Sequence, residues 1–327
     1  MAQKSMAFSV GSIRAKESTL LDLQDLEQLL HAGSEEELLR LLRDKGYGSD
    51  LGQEQDTEAL LAAERRRLWE EVLALAADPA LFDLFRVKQD FHNCRAILKG
   101  ILGNRPYAHL LLPDGRVAPE QIEAAVKEQR FETLPDFLRA PVQRAYTLLS
   151  ETGDPQLSDA CLDQAELACR LCLAVASGKP LLAEYMRAVV FYADVKIALR
   201  AARAGKSRAF LEQALVCGDG LPTQRLLTAA LAGEEEVLDL LASFEQFGGA
   251  GAAEQYKTSP ALFEKYADDY ALRIAARARR ITLGEEVLVG YYLAKEAELG
   301  AVQMIAVGVR TGQLPEEIRE RLRVLYG

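Results

Sequence analysis

Several absences narrow this sequence before any motif is considered. No apolar run approaches the roughly 20 residues needed to cross a bilayer. The longest apolar passages, such as Ala297 to Val309, are short and broken by polar residues or glycine. Direct membrane insertion is therefore not expected. Runs of β-branched and aromatic residues, the mark of strands, are scarce, and aromatics make up only 7% of the chain. Three histidines in all leave little material for acid–base or metal chemistry. The five cysteines, an odd number scattered through helical segments, read as free thiols of a reducing compartment. Met1 to Val10 hold one lysine and no apolar core, so no secretory signal is expected there. Positive charge is also in deficit: 39 Lys and Arg against 49 Asp and Glu leave a net charge of −10. A phosphate backbone or an anionic lipid surface asks for the opposite balance, which disfavours both as main partners.

What is present is helix. The 327 residues exceed the usual size of one compact domain and are 49% apolar and 27% charged, as in ordinary globular proteins. Leu, Ala, Glu and Arg dominate, and all-α is the expected class. Leucines repeat at helical spacing from Leu20 to Leu30. Ser34 with Glu37 has the spacing of a capping box, opening a helix that stops at Gly46-Tyr47-Gly48. Further helices are expected from about Thr57 to Ala77, from Pro79 to Lys99, and from Ser158 to Gly178. Others follow from Leu181 to Ala204, from Pro260 to Arg280, and from Pro315 onward. The tail between Leu283 and Gly312 reads as one long helix, and Phe247 to Ala252, rich in glycine, as a mobile loop.

Candidate chemistry is thin. Gly205-Lys206-Ser207 resembles the end of a phosphate-binding loop, but Arg200 stands where that loop needs its first glycine, and the tripeptide follows a helix. Cys161, Cys169 and Cys172 fall on one helical stripe with Ala165 and Val175, a small-residue packing face, while Cys217 stands apart. His92 cannot serve Cys94 directly, because successive helical side chains diverge by about 100°. The acid runs Glu35-Glu36-Glu37, Glu234-Glu235-Glu236 and Asp268-Asp269 read as solvated faces. No catalytic residue, metal ligand or cofactor site is expected. Arg273, Arg277 and Arg280 share one helix face, flanked by Arg279: either a docking surface for an acidic protein or a plain solvated face.

A faint repeat bears on architecture. Asn93 to Lys99 can be laid over Asp194 to Arg200 at an offset of 101, and more weakly over Ala301 to Val307 at a further 107. The alternatives are three helical units of about a hundred residues or a chance match among Leu- and Ala-rich helices. In the first case the units span 1–110, 111–215 and 216–327.

In order along the chain stand Arg14-Ala15, Glu17-Ser18, Leu20-Leu21 and Gly46-Tyr47-Gly48, then Asp90-Phe91-His92-Asn93 with Lys99, then Ile197 to Ala201. The tail adds Leu283-Gly284-Glu285-Glu286, Gly290-Tyr291-Tyr292, Lys295 to Glu298 and Gly312 to Glu317. As an ordered set these blocks resemble the C subunit of bacterial and archaeal V-type (A-type) ATPases, related to the eukaryotic d subunit. Departures include Asp194 and Ala301, where that family often carries asparagine. The resemblance implies three similar helical units in a pseudo-threefold, funnel-like arrangement. It implies a non-catalytic rotor part on the cytoplasmic side of the membrane, peripheral to it. Its neighbours would be the central-stalk D and F type subunits and the proteolipid ring, and it would couple ATP hydrolysis or synthesis to ion transport. The competing reading is an all-helical scaffold that binds acidic or helical peptides.

Overall fold

The structure is a computed structural model that describes residues 5–49, 56–218 and 220–325. Residues 1–4, the start of the stretch in which no secretory signal is expected, lie outside the described residues. In chain order the helices are α1 Met6–Glu17, α2 Leu23–Leu30, α3 Glu35–Asp44, α4 Thr57–Leu75 and α5 Asp83–Leu102. Next come α6 Pro119–Lys127, α7 Asp136–Thr152, α8 Pro155–Ala176, α9 Pro180–Arg203 and α10 Arg208–Ala214. The series ends with α11 Thr223–Ala232, α12 Glu234–Ala242, α13 Gly249–Thr258, α14 Pro260–Ala276, α15 Glu286–Thr311 and α16 Pro315–Arg321. Short 3-10 turns fill several connections, and no strand occurs among the described residues. The chain is all-α.

Two compact units form: 1–79 together with 254–327, and 80–253. The first is built around α15, which packs against α1, α4 and α14 and is buried along most of its 26 residues. Trp69 of α4 meets Tyr292 of α15 with ring centres 4.9 Å apart. The second is built on α8, which packs on α5, α7 and α9. One part of its core gathers Phe91, Ile97, Ile122, Leu138 and Leu162. Another stacks Phe191 on Phe247 at 4.0 Å. A polar ladder ties α5 to α8: Lys99 to Asp159 at 2.5 Å, Arg95 to Glu166 at 3.1 Å, and Arg170 Nε to the Leu84 carbonyl at 3.1 Å.

Helix starts follow the expected chemistry with one rearrangement. The Ser34 hydroxyl accepts the Glu37 N–H at 3.2 Å, but the Glu37 carboxylate reaches past it to the Gly33 N–H at 2.9 Å. The reciprocal box instead sits at Asp22 and Asp25, opening α2. Three expectations need correction. The glycine-rich stretch after Phe247 is not a loop but the first turn of α13, with Gly249 and Ala252 buried. Gly248 takes the left-handed conformation at φ 65°. Gly249 passes so close to α12 that a Cβ there would stand 1.8 Å from the Leu241 carbonyl oxygen. Glycine serves close approach here, not mobility. Asp269 is not solvated: it is buried and accepts the Val324 N–H at 2.7 Å. The cysteine stripe of α8 also fails at its far end, where Cys172 and Val175 are exposed while Leu171 and Ala174, on another side of the helix, are buried.

The repeated segment occupies equivalent places on α5, α9 and α15. Each of these helices ends in a left-handed residue, Asn104, Gly205 or Gly312, at the offsets of 101 and 107 seen in the sequence. Each is closed by the same bond, at 2.9 Å: Arg105 N–H to Gly100 O, Lys206 N–H to Ala201 O, and Gln313 N–H to Gly308 O. This is the Schellman closure, which satisfies carbonyls a helix end leaves open. The polar position of the repeat then anchors the returning chain. The Asn93 amide exchanges two 2.8 Å bonds with the Leu112 backbone, and Asp194 accepts the Val216 N–H at 3.1 Å. Ala301 has no group to offer, and the corresponding tail segment hangs on Asp269 instead.

Candidate functional site: a buried charge network and an exposed arginine face

The three arginines singled out by sequence lie at one end of α14. Arg273 is on its last turn, and Arg277 and Arg280 are on the 3-10 turn Arg277–Arg280 that continues it. Arg273, Arg277, Arg279 and Arg280 are all exposed. Cations are favoured at a helix C-terminus, where the unpaired carbonyls carry partial negative charge. Side chains three apart in a 3-10 turn eclipse, which keeps Arg277 and Arg280 on one side of the helix end. It is also braced from behind. Arg14 of α1 donates through Nη2 to the carbonyls of Ala278 and Ile281, at 3.1 and 2.8 Å, while Nη1 pairs with Glu17 at 2.7 Å.

Beneath the surface of the same unit, α15 carries a buried charge network. Glu298 Oε2 accepts the Leu21 N–H at 2.6 Å. Its Oε1 accepts from Lys295 Nζ at 2.5 Å and from the Tyr47 hydroxyl. The Lys295 ammonium also stands over the Tyr47 ring, 4.3 Å from its centre. Glu298 is 1% exposed, so an unpaired charge there would be costly; three donors offset that cost. Burial, and then the Glu298 charge, push the Tyr47 phenol far above its usual range and keep it a donor. Nearby, Glu64 of α4 accepts the Gly48 N–H at 2.9 Å and pairs with Arg67 at 2.7 Å. The Gly46-Tyr47-Gly48 turn is thus pinned from both sides, by α4 and by α15. A polar pocket of ≈ 60 Å³ adjoins the network, lined among others by Lys16, Glu71, Arg67 and Lys295. Lys16 and Glu71 close its rim as an ion pair at 2.7 Å.

Chemically, this arrangement locks. Each carboxylate of the network is engaged by donors from another part of the chain. Among the described residues no cluster of three or more His, Cys, Asp or Glu is placed to hold a metal. Gly205-Lys206-Ser207 lies past the end of α9, where Ser207 caps α10 through the Phe210 N–H at 3.3 Å. His92 bonds the Leu110 carbonyl at 2.8 Å. Glu64 escaped sequence reading, and so did the contact of Glu285, which holds the Asp78 N–H at 2.8 Å. Their partners carry no pattern, being backbone amides brought in from other segments of the chain. Among the described residues no helix is long and apolar enough to cross a membrane.

The locked blocks, Arg14 to Leu21 and Gly46 to Gly48 against Glu285 to Glu298, are among those on which the family resemblance rests. Comparison with known proteins agrees. The chain is 24% identical over 324 residues to the C subunit of the V-type sodium ATPase of Enterococcus hirae, covering 96% of this chain and 97% of that protein. It is 24% identical over 344 residues to the C subunit of the A-type ATP synthase of Methanocaldococcus jannaschii, covering 97% and 86%. The model of the ATP synthase (C/AC39) subunit family matches residues 9–321, nearly the whole chain, and the chain belongs to that family.

Proposed function

We propose that this protein is the non-catalytic rotor connector of a rotary V-type or A-type ATPase. On this reading it lies on the cytoplasmic side of the membrane and links the central-stalk D and F type subunits to the proteolipid ring. The observation that carries the reading is the Glu298 network, which fastens the start of the chain to its long tail helix through buried, charge-assisted bonds. A part that transmits torque must not hinge or melt between its two contact surfaces, and cross-chain locks of this kind oppose both. The three equivalent helix ends at Asn104, Gly205 and Gly312 support three similar units, 1–110, 111–215 and 216–327, in a pseudo-threefold arrangement. The Arg273, Arg277 and Arg280 face is the proposed docking surface for an acidic neighbour in the complex.

That same face favours one competing reading, a helical scaffold for acidic peptides. Affinity purification of the tagged chain from solubilised native membranes separates them. Recovery of the ATPase head, stalk and proteolipid ring supports the connector. Recovery of soluble acidic partners without any part of the ATPase contradicts it.

A further inference from the structure

We propose that Cys172 and Cys217 form an oxidation-responsive thiol pair, which a hydroperoxide joins as a disulfide across a cleft in the second unit. Of the five cysteines, Cys94 and Cys161 are buried and Cys169 is half-buried, while Cys172 and Cys217 are exposed. Burial raises the thiols of the first three, which suits inert packing groups. The exposed pair is 45 positions apart in sequence, yet both line one cleft of ≈ 210 Å³, together with Leu171, Val175 and Arg187.

The backbone carrying Cys217 is held against α8. Gly218 leaves so little room that a Cβ there would stand 3.1 Å from Leu171 Cδ2, one residue from Cys172. Just before Cys217, the Leu215 carbonyl accepts from Gln164 of α8 at 3.3 Å. Val216 is fixed on both sides, its N–H to Asp194 at 3.1 Å and its carbonyl to the Thr223 hydroxyl at 2.7 Å. Both cysteines thus line one cleft, and the backbone that carries Cys217 is anchored beside α8.

The chemistry balances in two steps. One thiolate sulfur attacks a peroxide oxygen. The O–O bond breaks, the S–O bond of a sulfenic acid forms, and the other peroxide oxygen leaves as an alcohol or water, toward which Arg187 can direct its guanidinium. The second thiol then displaces the sulfenic hydroxyl as water, and the S–S bond forms. Two electrons pass from the two sulfurs to the peroxide.

The test treats the full native chain with equimolar hydrogen peroxide, blocks residual thiols with N-ethylmaleimide and maps peptides without reduction. The expected result is a Cys172–Cys217 linked peptide and a free-thiol count falling from five to three. The midpoint of thermal unfolding should rise, and dithiothreitol should reverse both changes. Cys172→Ser and Cys217→Ser should each abolish the link, and Cys169→Ser should retain it. Both altered side chains of the linked pair are exposed, so folding should survive. Separate alkylation of Cys172 and Cys217 after oxidation, a Cys169–Cys172 link, or only links between chains would overturn the proposal.

Discussion

Leu21 and Glu298 meet across 277 positions of chain, the backbone N–H of one donating to the buried carboxylate of the other at 2.6 Å. The contact joins the loop before α2 to the middle of α15, and the same carboxylate holds Lys295 and Tyr47. Because the partners come from opposite ends of the sequence, the bond forms only when the first unit has closed.

Replacing Glu298 should therefore be severe. Glu298→Gln leaves the Lys295 ammonium, itself 8% exposed, without its counter-charge. Breaking one side of a buried pair costs about 3–5 kcal/mol. Adding Lys295→Met to Glu298→Gln should recover more than half of that loss, since no unpaired charge then remains and the amide oxygen can still accept from Leu21. Tyr47→Phe should cost only about 1–2 kcal/mol. Urea titrations of the wild type and the three variants check the ranking.

Asp194 predicts a pH dependence of opposite sign to the usual carboxylate. Burial raises its pKa from 3.8 to about 7, with the Val216 N–H partly opposing the rise. Its Oδ2 has no hydrogen-bond partner. The folded protein thus favours the neutral acid. That stabilisation is complete below about pH 4, the unfolded carboxyl's own range, and is lost as pH rises through about 7. Asn at this position cannot ionise and can copy the two-bond grip of Asn93 on Leu112. Asp194→Asn should be close to wild type at pH 4 and more stable at pH 8, by ~2–4 kcal/mol, at about 1.4 kcal/mol for each tenfold change in proton binding. Asp90, raised to about 6 by burial, should add a smaller effect of the same sign. Unfolding midpoints measured from pH 4 to pH 8 supply the test.

Two glycine substitutions should move stability in opposite directions. Gly300 lies on the exposed side of α15 with nothing within 4 Å of the place a methyl group would take, so Gly300→Ala should stabilise by about 0.5–1 kcal/mol. Gly249→Ala would drive a methyl group into the Leu241 carbonyl, a backbone atom that cannot rotate away. The cost should be at least the ~1–3 kcal/mol typical of overpacking. Thermal unfolding of the two variants decides the matter.

The arginine face should matter for assembly and not for folding. Charge reversal at Arg273, Arg277 and Arg280 together should leave the unfolding midpoint within a few degrees of wild type. The same change should lower recovery of the assembled ATPase at least tenfold in affinity purification. Raising the salt should narrow the gap between variant and wild type, because it screens both the lost attraction and the new repulsion. Full assembly by the triple variant would return this face to the status of solvated surface.

Much of the helical plan was legible because its signals are local. Pro180, Pro260 and Pro315 each open a helix at its first position, and the left-handed ends at Gly205 and Gly312 follow helices expected from spacing. The repeat could be found because a shared helix end demands a shared run of residues. Contacts between distant segments left no such trace. Nothing in the sequence marks the lock at Glu64 or at Glu298, since each holds a backbone amide, of Gly48 or of Leu21, that has no side-chain signature. Cys217 read as isolated because its neighbour Cys172 is brought in by the packing of α10 on α8. Gly249 misled for a related reason: a glycine needed for helix contact looks the same in sequence as one needed for a flexible loop.

The most direct test of the connector role measures ATP-driven ion uptake and ATP hydrolysis in vesicles carrying the complex with and without this chain. The account predicts that removal abolishes ion uptake while the detached head still hydrolyses ATP, and that adding the chain back restores coupling. Loss of all hydrolysis on removal, or full ion transport without the chain, would contradict it.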